Sequence, residues 1–146
     1  MTTLSATRTR QFISSPTRPN EKHPVLASTK IYSGSGVCKL DAAGYARPIA
    51  ASLTNPSFLG FAEEPIDNSA GADGALEVNI KPEGVLLLDT ITGAVGRVDV
   101  DKPVYMSDDG TGFTLTALNN VLIGAITNYI DGKFRVFFQA KAYRSQ

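Results

Sequence analysis

Three carboxylates, Glu63, Glu64 and Asp67, fall within five positions of the stretch FLGFAEEPIDNSAGADGALEVNI at 58–80. Paired carboxylates can do acid–base work when contrasting surroundings keep one protonated and the other ionised. Neighbouring strand residues point to opposite faces, however, and Pro65 ends the strand, so Glu63 and Glu64 read as a solvated strand end. Asp67, Asn68 and Asp73 with backbone carbonyls offer oxygen ligands of the kind calcium takes. They lack the alternating acids and terminal Glu of a calcium-binding helix–loop–helix, as do Asp99, Asp101, Asp108 and Asp109, and Asx-type turn chemistry is the preferred reading of both groups.

The remaining chemistry-bearing residues are few. His23 is the only histidine and Cys38 the only cysteine, which leaves no zinc cluster, no internal disulfide and no supported Ser/His/Asp or Cys/His pair. The runs Ser33-Gly34-Ser35-Gly36 and Gly71-Ala72-Asp73-Gly74 read as turns, because neither is followed by Gly-Lys-Ser/Thr or by a helix facing a phosphate. Tyr32, Tyr45, Tyr105, Tyr129 and Tyr143 could stack bases, but such surfaces pair aromatics with a basic groove. The 14 basic and 14 acidic residues cancel, and after residue 25 the balance is 10 basic to 13 acidic. The expectation is a protein that is not an enzyme, with no cofactor, no metal, no nucleic-acid partner and no membrane partner.

The elements that position these residues are β-rich. At 146 residues, 42% hydrophobic and 19% charged, the chain has the size and composition of one globular domain. Residues 1–25 carry three prolines and four basic residues against one acid, and read as an extended basic arm. Its Phe12-Ile13 pair is the place where the arm could anchor on another surface. From 26 to 146 short apolar runs are each closed by Gly, Pro, Asn or Asp. The expected strands cover 26–32, 37–40, 46–50, 58–64, 75–81, 84–88, 104–107, 113–116, 122–129 and 133–140. This spacing predicts an all-β fold, a small β-barrel or β-sandwich, jelly-roll-like or a pseudo-duplicated barrel. Only short helical turns are expected, near 42–44 and 116–120. Asp131-Gly132 predicts a tight hairpin, and 133–140 should place Phe134, Val136 and Phe138 on the core face with Phe137 opposite.

An internal echo supports duplication. Phe58-Leu59-Gly60-Phe61-Ala62 precedes Ile66-Asp67, and Leu122-Ile123-Gly124-Ala125-Ile126 precedes Ile130-Asp131, each followed by an alternating strand containing Val78 or Val136. Lys30-Ile31-Tyr32-Ser33 and Val104-Tyr105-Met106-Ser107 stand in matching places before a Gly-rich turn. Gly60 and Gly124 then occupy equivalent positions, where a side chain would obstruct a neighbouring backbone or the strand bulges. The echo lacks Glu63 and Glu64, and the longer first loop, 68–74, reads as an elaboration that could touch a partner.

Over about residues 30 to 140 the chain resembles the small capsid decoration, or cement, proteins of tailed bacteriophages. The resemblance rests on G-V-C-K-L-D-A-A-G-Y-A-R-P, on F-L-G-F-A with the following D-N-S-A-G-A-D-G-A-L-E-V, on D-K-P-V-Y-M-S-D-D-G, and on V-L-I-G-A-I-T with F-R-V-F-F. It implies a structural virion protein on the outer surface of the head, made in the host cytoplasm, stabilising contacts between copies of the major capsid protein. The implied partners are that capsid protein and copies of itself, as a homotrimer in preference to a homodimer. The arm residues expected to contact the capsid are Arg8, Arg10 and Arg18, facing acidic surface, with Phe12 and Ile13 as apolar anchors. The alternatives are a tail-tip, spike or receptor-binding β-module, or a small carbohydrate- or nucleotide-processing enzyme in which Glu63, Glu64, Asp67 or Asp108 converge in a deep pocket.

Overall fold

The computed structural model describes residues 18–144, which are nearly all β with no helix of seven residues or more. The strands are β1 (Glu21–Pro24), β2 (Thr29–Ile31), β3 (Gly36–Leu40), β4 (Arg47–Pro48), β5 (Pro56–Ala62) and β6 (Ile66–Asn68). They continue with β7 (Glu77–Lys81), β8 (Glu83–Leu88), β9 (Pro103–Met106), β10 (Phe113–Thr114), β11 (Val121–Ile130) and β12 (Lys133–Gln139). Short 3-10 turns occupy Arg97–Asp99 and Lys141–Tyr143.

Ten strands form two five-stranded sheets, ordered β1-β7-β5-β3-β4 and β8-β12-β11-β9-β10, with every pairing antiparallel. Taken place by place, the sheets use their strands in the same chain order, so the second half repeats the topology of the first. The repeat extends to the edges: one parallel bridge, Val25 to Ala46, ties the two edges of the first sheet, and Thr92 to Thr114 does so in the second. The first half adds only the β2–β6 pair.

The echo seen in sequence marks this duplication at its centre and misses at its margins. Gly60 and Gly124 are equivalent. Each lies at a register shift, Gly60 in the pairing of β5 with β3 and Gly124 in that of β11 with β9. A Cβ on either would run into the next strand's backbone, at Lys81 on β7 and at Phe137 on β12. That register matches Ile80 with Val136 and Val78 with Phe134. The counterpart of β9 is β3, not the Lys30–Ser33 stretch, and Ile66-Asp67 belongs to the inserted β6 whereas Ile130 ends β11. Sequence similarity follows the glycine that lies hard against the next strand's backbone and its flanks, where packing restricts residue choice, and is lost at strand ends exposed to water.

The bulge at Gly60 also divides the core. An extra residue in one strand shifts the alternation, so Phe58 and Phe61 share one side of β5 while Leu59 and Ala62 share the other. Phe58 and Phe61 join the larger core with Cys38, Ile123, Ile126, Val136 and Phe138. Leu59 and Ala62 join the smaller one with Val25, Val37, Val78 and Ile80. Edge-to-face rings join the halves, Phe61 to Phe138 at 4.8 Å and Phe58 to Phe138 at 6.3 Å between centroids.

The sequence-drawn arm reached residue 25, but its last residues are part of the sheet. Glu21–Pro24 is β1, paired along its length with β7, and Val25 is fully buried. The run EKHP gives no alternating apolar signal because β1 is an edge strand held through its backbone. Asp131 and Gly132 both have positive φ, 55° and 76°, and close the β11–β12 hairpin as expected.

Candidate functional site

The acidic positions of the long loop have separate local partners. Glu63 pairs with Lys81 Nζ at 3.1 Å, and Glu64 accepts from Asn79 Nδ2 at 3.5 Å. Asp67 accepts hydrogen bonds from the Ser69 hydroxyl and from its backbone N–H, which hold the carboxyl below its usual range. Asn68 is buried, and its amide donates to the carbonyls of Leu26 and Ala72, both at 3.0 Å. Asp73 Oδ1 accepts from the Ala27 N–H at 2.8 Å. Residues 68–74 are thereby bolted to the segment after β1, and the polar chemistry that stood out in sequence closes a turn over the smaller core. Asp108 does similar work between β9 and β10, accepting from the N–H groups of Gly110 and Gly112 at 2.9 Å each.

No group of three or more His, Cys, Asp or Glu side chains among the described residues is placed to hold a metal ion. A cleft of about 360 Å³ has Asp41, Tyr105, Leu122, Lys141 and Arg144 among its walls; none of Glu63, Glu64, Asp67 or Asp108 lines it. Arg144 is turned to backbone, donating to the Leu122 carbonyl at 2.7 Å and to that of Gln139 at 3.2 Å. Cys38 is wholly buried, and burial pushes its thiol up to about 12.

The surface offers a different kind of site. Between β8 and β9 the chain presents Val95 and Val98, 81% and 77% exposed, the first two residues before the turn Arg97–Asp99 and the second at its middle. Residues so apolar and so exposed are ordinarily found on mobile loops, but this one is braced. Asp99, itself buried, accepts from the N–H groups of Val95 at 2.7 Å and Gly96 at 3.2 Å, and from Lys102 Nζ at 2.8 Å. These bonds, led by Lys102, hold the Asp99 carboxyl at about 2. Arg97 Nη1 reaches Asn128 Oδ1 at 2.8 Å, and Asp101 and Lys102 bond the backbone of Ile126, so the loop is fixed to β11. Charge-assisted bonds of this kind are stronger than neutral ones. The result is a rigid tip with two valines outward. Sequence reading placed Asp99 in an acidic group and gave Val95 and Val98 no role; the signal available was the run A-V-G-R-V-D-V, apolar residues inside a turn-rich segment.

The second surface is the outer face of the β8–β12 sheet. Phe134, Val136 and Phe138 turn into the larger core, and Phe137 stands opposite, 36% exposed, as the alternation predicts. Its cross-strand neighbours continue an apolar row across four strands: Val85 on β8, Phe137, Ala125 on β11 and Pro103 on β9.

Of the arm residues expected to meet a capsid, Arg8, Arg10, Phe12 and Ile13 lie outside the described residues. Arg18 lies within them and is engaged internally. Its Nε is 3.2 Å from Glu83 Oε1, and its guanidinium sits 4.1 Å from the ring centroid of Tyr143. Tyr143 donates its hydroxyl to Glu21, a bond that raises its pKa, and Gln139 Nε2 donates to Glu83 at 2.9 Å. Both ends of the described chain thus meet beside the start of β8. Fold and surface together define an all-β, topologically duplicated protein with an apolar tip and an apolar sheet face. No family model matches the chain, and no curated protein does.

Proposed function

We propose that this is a structural virion protein, a capsid decoration or cement protein that binds the outer surface of a tailed-phage head and bridges copies of the major capsid protein. The observation that carries the reading is the braced tip. Burying an exposed valine contributes about 1.5–3 kcal/mol, and a tip already fixed by Asp99 and Arg97 loses little conformational freedom on docking. Repeated over a symmetric shell in an oligomer, a modest contact becomes a firm one. The resemblance adds support, because G-V-C-K-L, F-L-G-F-A, V-L-I-G-A-I-T and F-R-V-F-F coincide with β3, β5, β11 and β12, the paired strands of the duplicated sheets. Arg8 and Arg10 are the arm's candidates for acidic shell surface, where rim charges set register more than affinity. Arg18 acts in the fold through Glu83.

The test is co-sedimentation with shells that lack the protein, with wild type and with a Val95→Asp, Val98→Asp double variant. Wild type should bind at saturable stoichiometry, and the double variant should fold normally but lose most binding. Wild-type protein that ignores such shells overturns the reading, and density confined to the tail in particle images would assign it to the tail-tip alternative. Arm truncations should stop at residue 17, since removing residues 21–24 deletes β1.

A further inference from the structure

The row Val85–Phe137–Ala125–Pro103 is a sheet face in want of a cover. A strand alternating in and out ordinarily turns polar side chains to water, and β12 does so with Lys133, Arg135 and Gln139. Phe137 breaks that rule, and it does so where each neighbour across the strands is apolar as well. Four aligned apolar residues across β8, β12, β11 and β9 form a continuous strip.

We propose that this strip is the docking face for the chain's own Phe12-Ile13 pair. Two facts place that pair within reach. The chain enters the described structure at Arg18, and Arg18 is pinned to Glu83, at the start of β8. Glu83 and Val85 are two residues apart on the same side of one strand, a separation of about 7 Å. Ile13 stands five positions before Arg18, and extended chain covers about 3.3 Å per position, so Ile13 can lie anywhere within roughly 17 Å of the anchor, with Phe12 one position further out. Along the first 17 residues only Leu4, Phe12 and Ile13 are large and apolar, apart from Met1, and only Phe12 and Ile13 are adjacent. A short tether fixed next to the strip gives the pair a high effective concentration there, which favours the chain's own segment over that of a second copy. The Arg18–Glu83–Tyr143 cluster is then the hinge post of an intramolecular anchor. The inference concerns the free protein and does not rest on the capsid reading.

The experiment is a cysteine pair, Ile13→Cys with Val85→Cys, oxidised in the otherwise native protein. Cys38 is buried with its thiol pushed up to about 12, so it does not compete. The expected product is an intrachain disulfide in most chains, seen as a reducible shift in a band of monomer mass. A covalent dimer overturns the proposal by making a second copy the occupant; no cross-link overturns it by leaving the strip without this segment. As a second readout, replacing both Phe12 and Ile13 with serine should increase binding of an apolar-surface dye, and the increase should vanish when Phe137→Ser is added. An increase that persists without Phe137 also overturns the proposal. Failure of shell binding leaves the cross-link result intact, and the reverse holds, so the two readings fall separately.

Discussion

An alanine at position 124 puts its methyl carbon 2.8 Å from the carbonyl carbon of Phe137, and closer still to that carbonyl oxygen, with Phe138 Cα at 2.9 Å. All three are backbone atoms of β12, so no side chain can swing aside and the β11–β12 ladder must open locally. Forcing extra volume into a packed site costs about 1–3 kcal/mol, and weakening one or two ladder hydrogen bonds adds about 0.5–1.5 kcal/mol each. The sum for Gly124→Ala is about 1.5–6 kcal/mol. Gly60→Ala meets Ile80 Cγ2 at 2.7 Å and the Lys81 carbonyl, and it also forces alanine to φ 135°. That backbone strain adds about 1–3 kcal/mol and brings the total into the range of a small domain's whole stability. Gly44 is the control, with φ 83° and open space where a Cβ would go, so its alanine variant carries strain alone, about 1–2 kcal/mol. Denaturant titration of the three variants should rank Gly44→Ala mildest, Gly124→Ala intermediate and Gly60→Ala most severe. In thermal melts the Gly124 variant should fall by roughly 10 °C or more. If Gly124→Ala costs no more than Gly44→Ala, the equivalence of the two central glycines is wrong.

Further predictions concern the tip, the thiol and the anchor. Asp99→Asn removes the charge that Lys102 and two N–H groups hold. Because the folded carboxyl sits at about 2 against an ordinary 3.8, its contribution is complete above 3.8 and lost as pH falls toward 2. The stability gap between wild type and Asp99→Asn, measured by urea titration, should therefore close over that interval; a gap independent of pH contradicts the clamp. Native protein at neutral pH should resist thiol reagents, with Cys38 labelled only as fast as the molecule opens, and prompt stoichiometric labelling would show the site is not closed. Arg18→Ala removes one ion pair to buried Glu83 and should lower stability by about 1–3 kcal/mol in a denaturant titration. A variant as stable as wild type would return Arg18 to the surface role expected from sequence.

Much of the scaffold is legible in the residues alone. Turn residues closing short apolar runs mark ten of the twelve strands, since Gly, Asn and Asp are the residues that accept positive φ, as Asn55, Asn119, Asp131 and Gly132 do. Alternation along β12 assigns its faces, and the recurrence of Gly60 at Gly124 announces a duplicated unit, because close backbone approach excludes every other side chain there. The edge strand β1 and the inserted β6 escape notice because pairing through backbone groups places no demand on side-chain pattern. Long-range partners are equally silent: nothing in the string ties Arg18 to Glu83, Asn68 to Leu26, or Asp99 to the amides of Val95 and Gly96. Only the tertiary structure decides that the acids of 63–73 serve the fold, that Arg18 is held within it, and that Val95, Val98 and Phe137 face outward. Exposure and polar satisfaction depend on which strands become neighbours, and that is settled by packing across the whole chain.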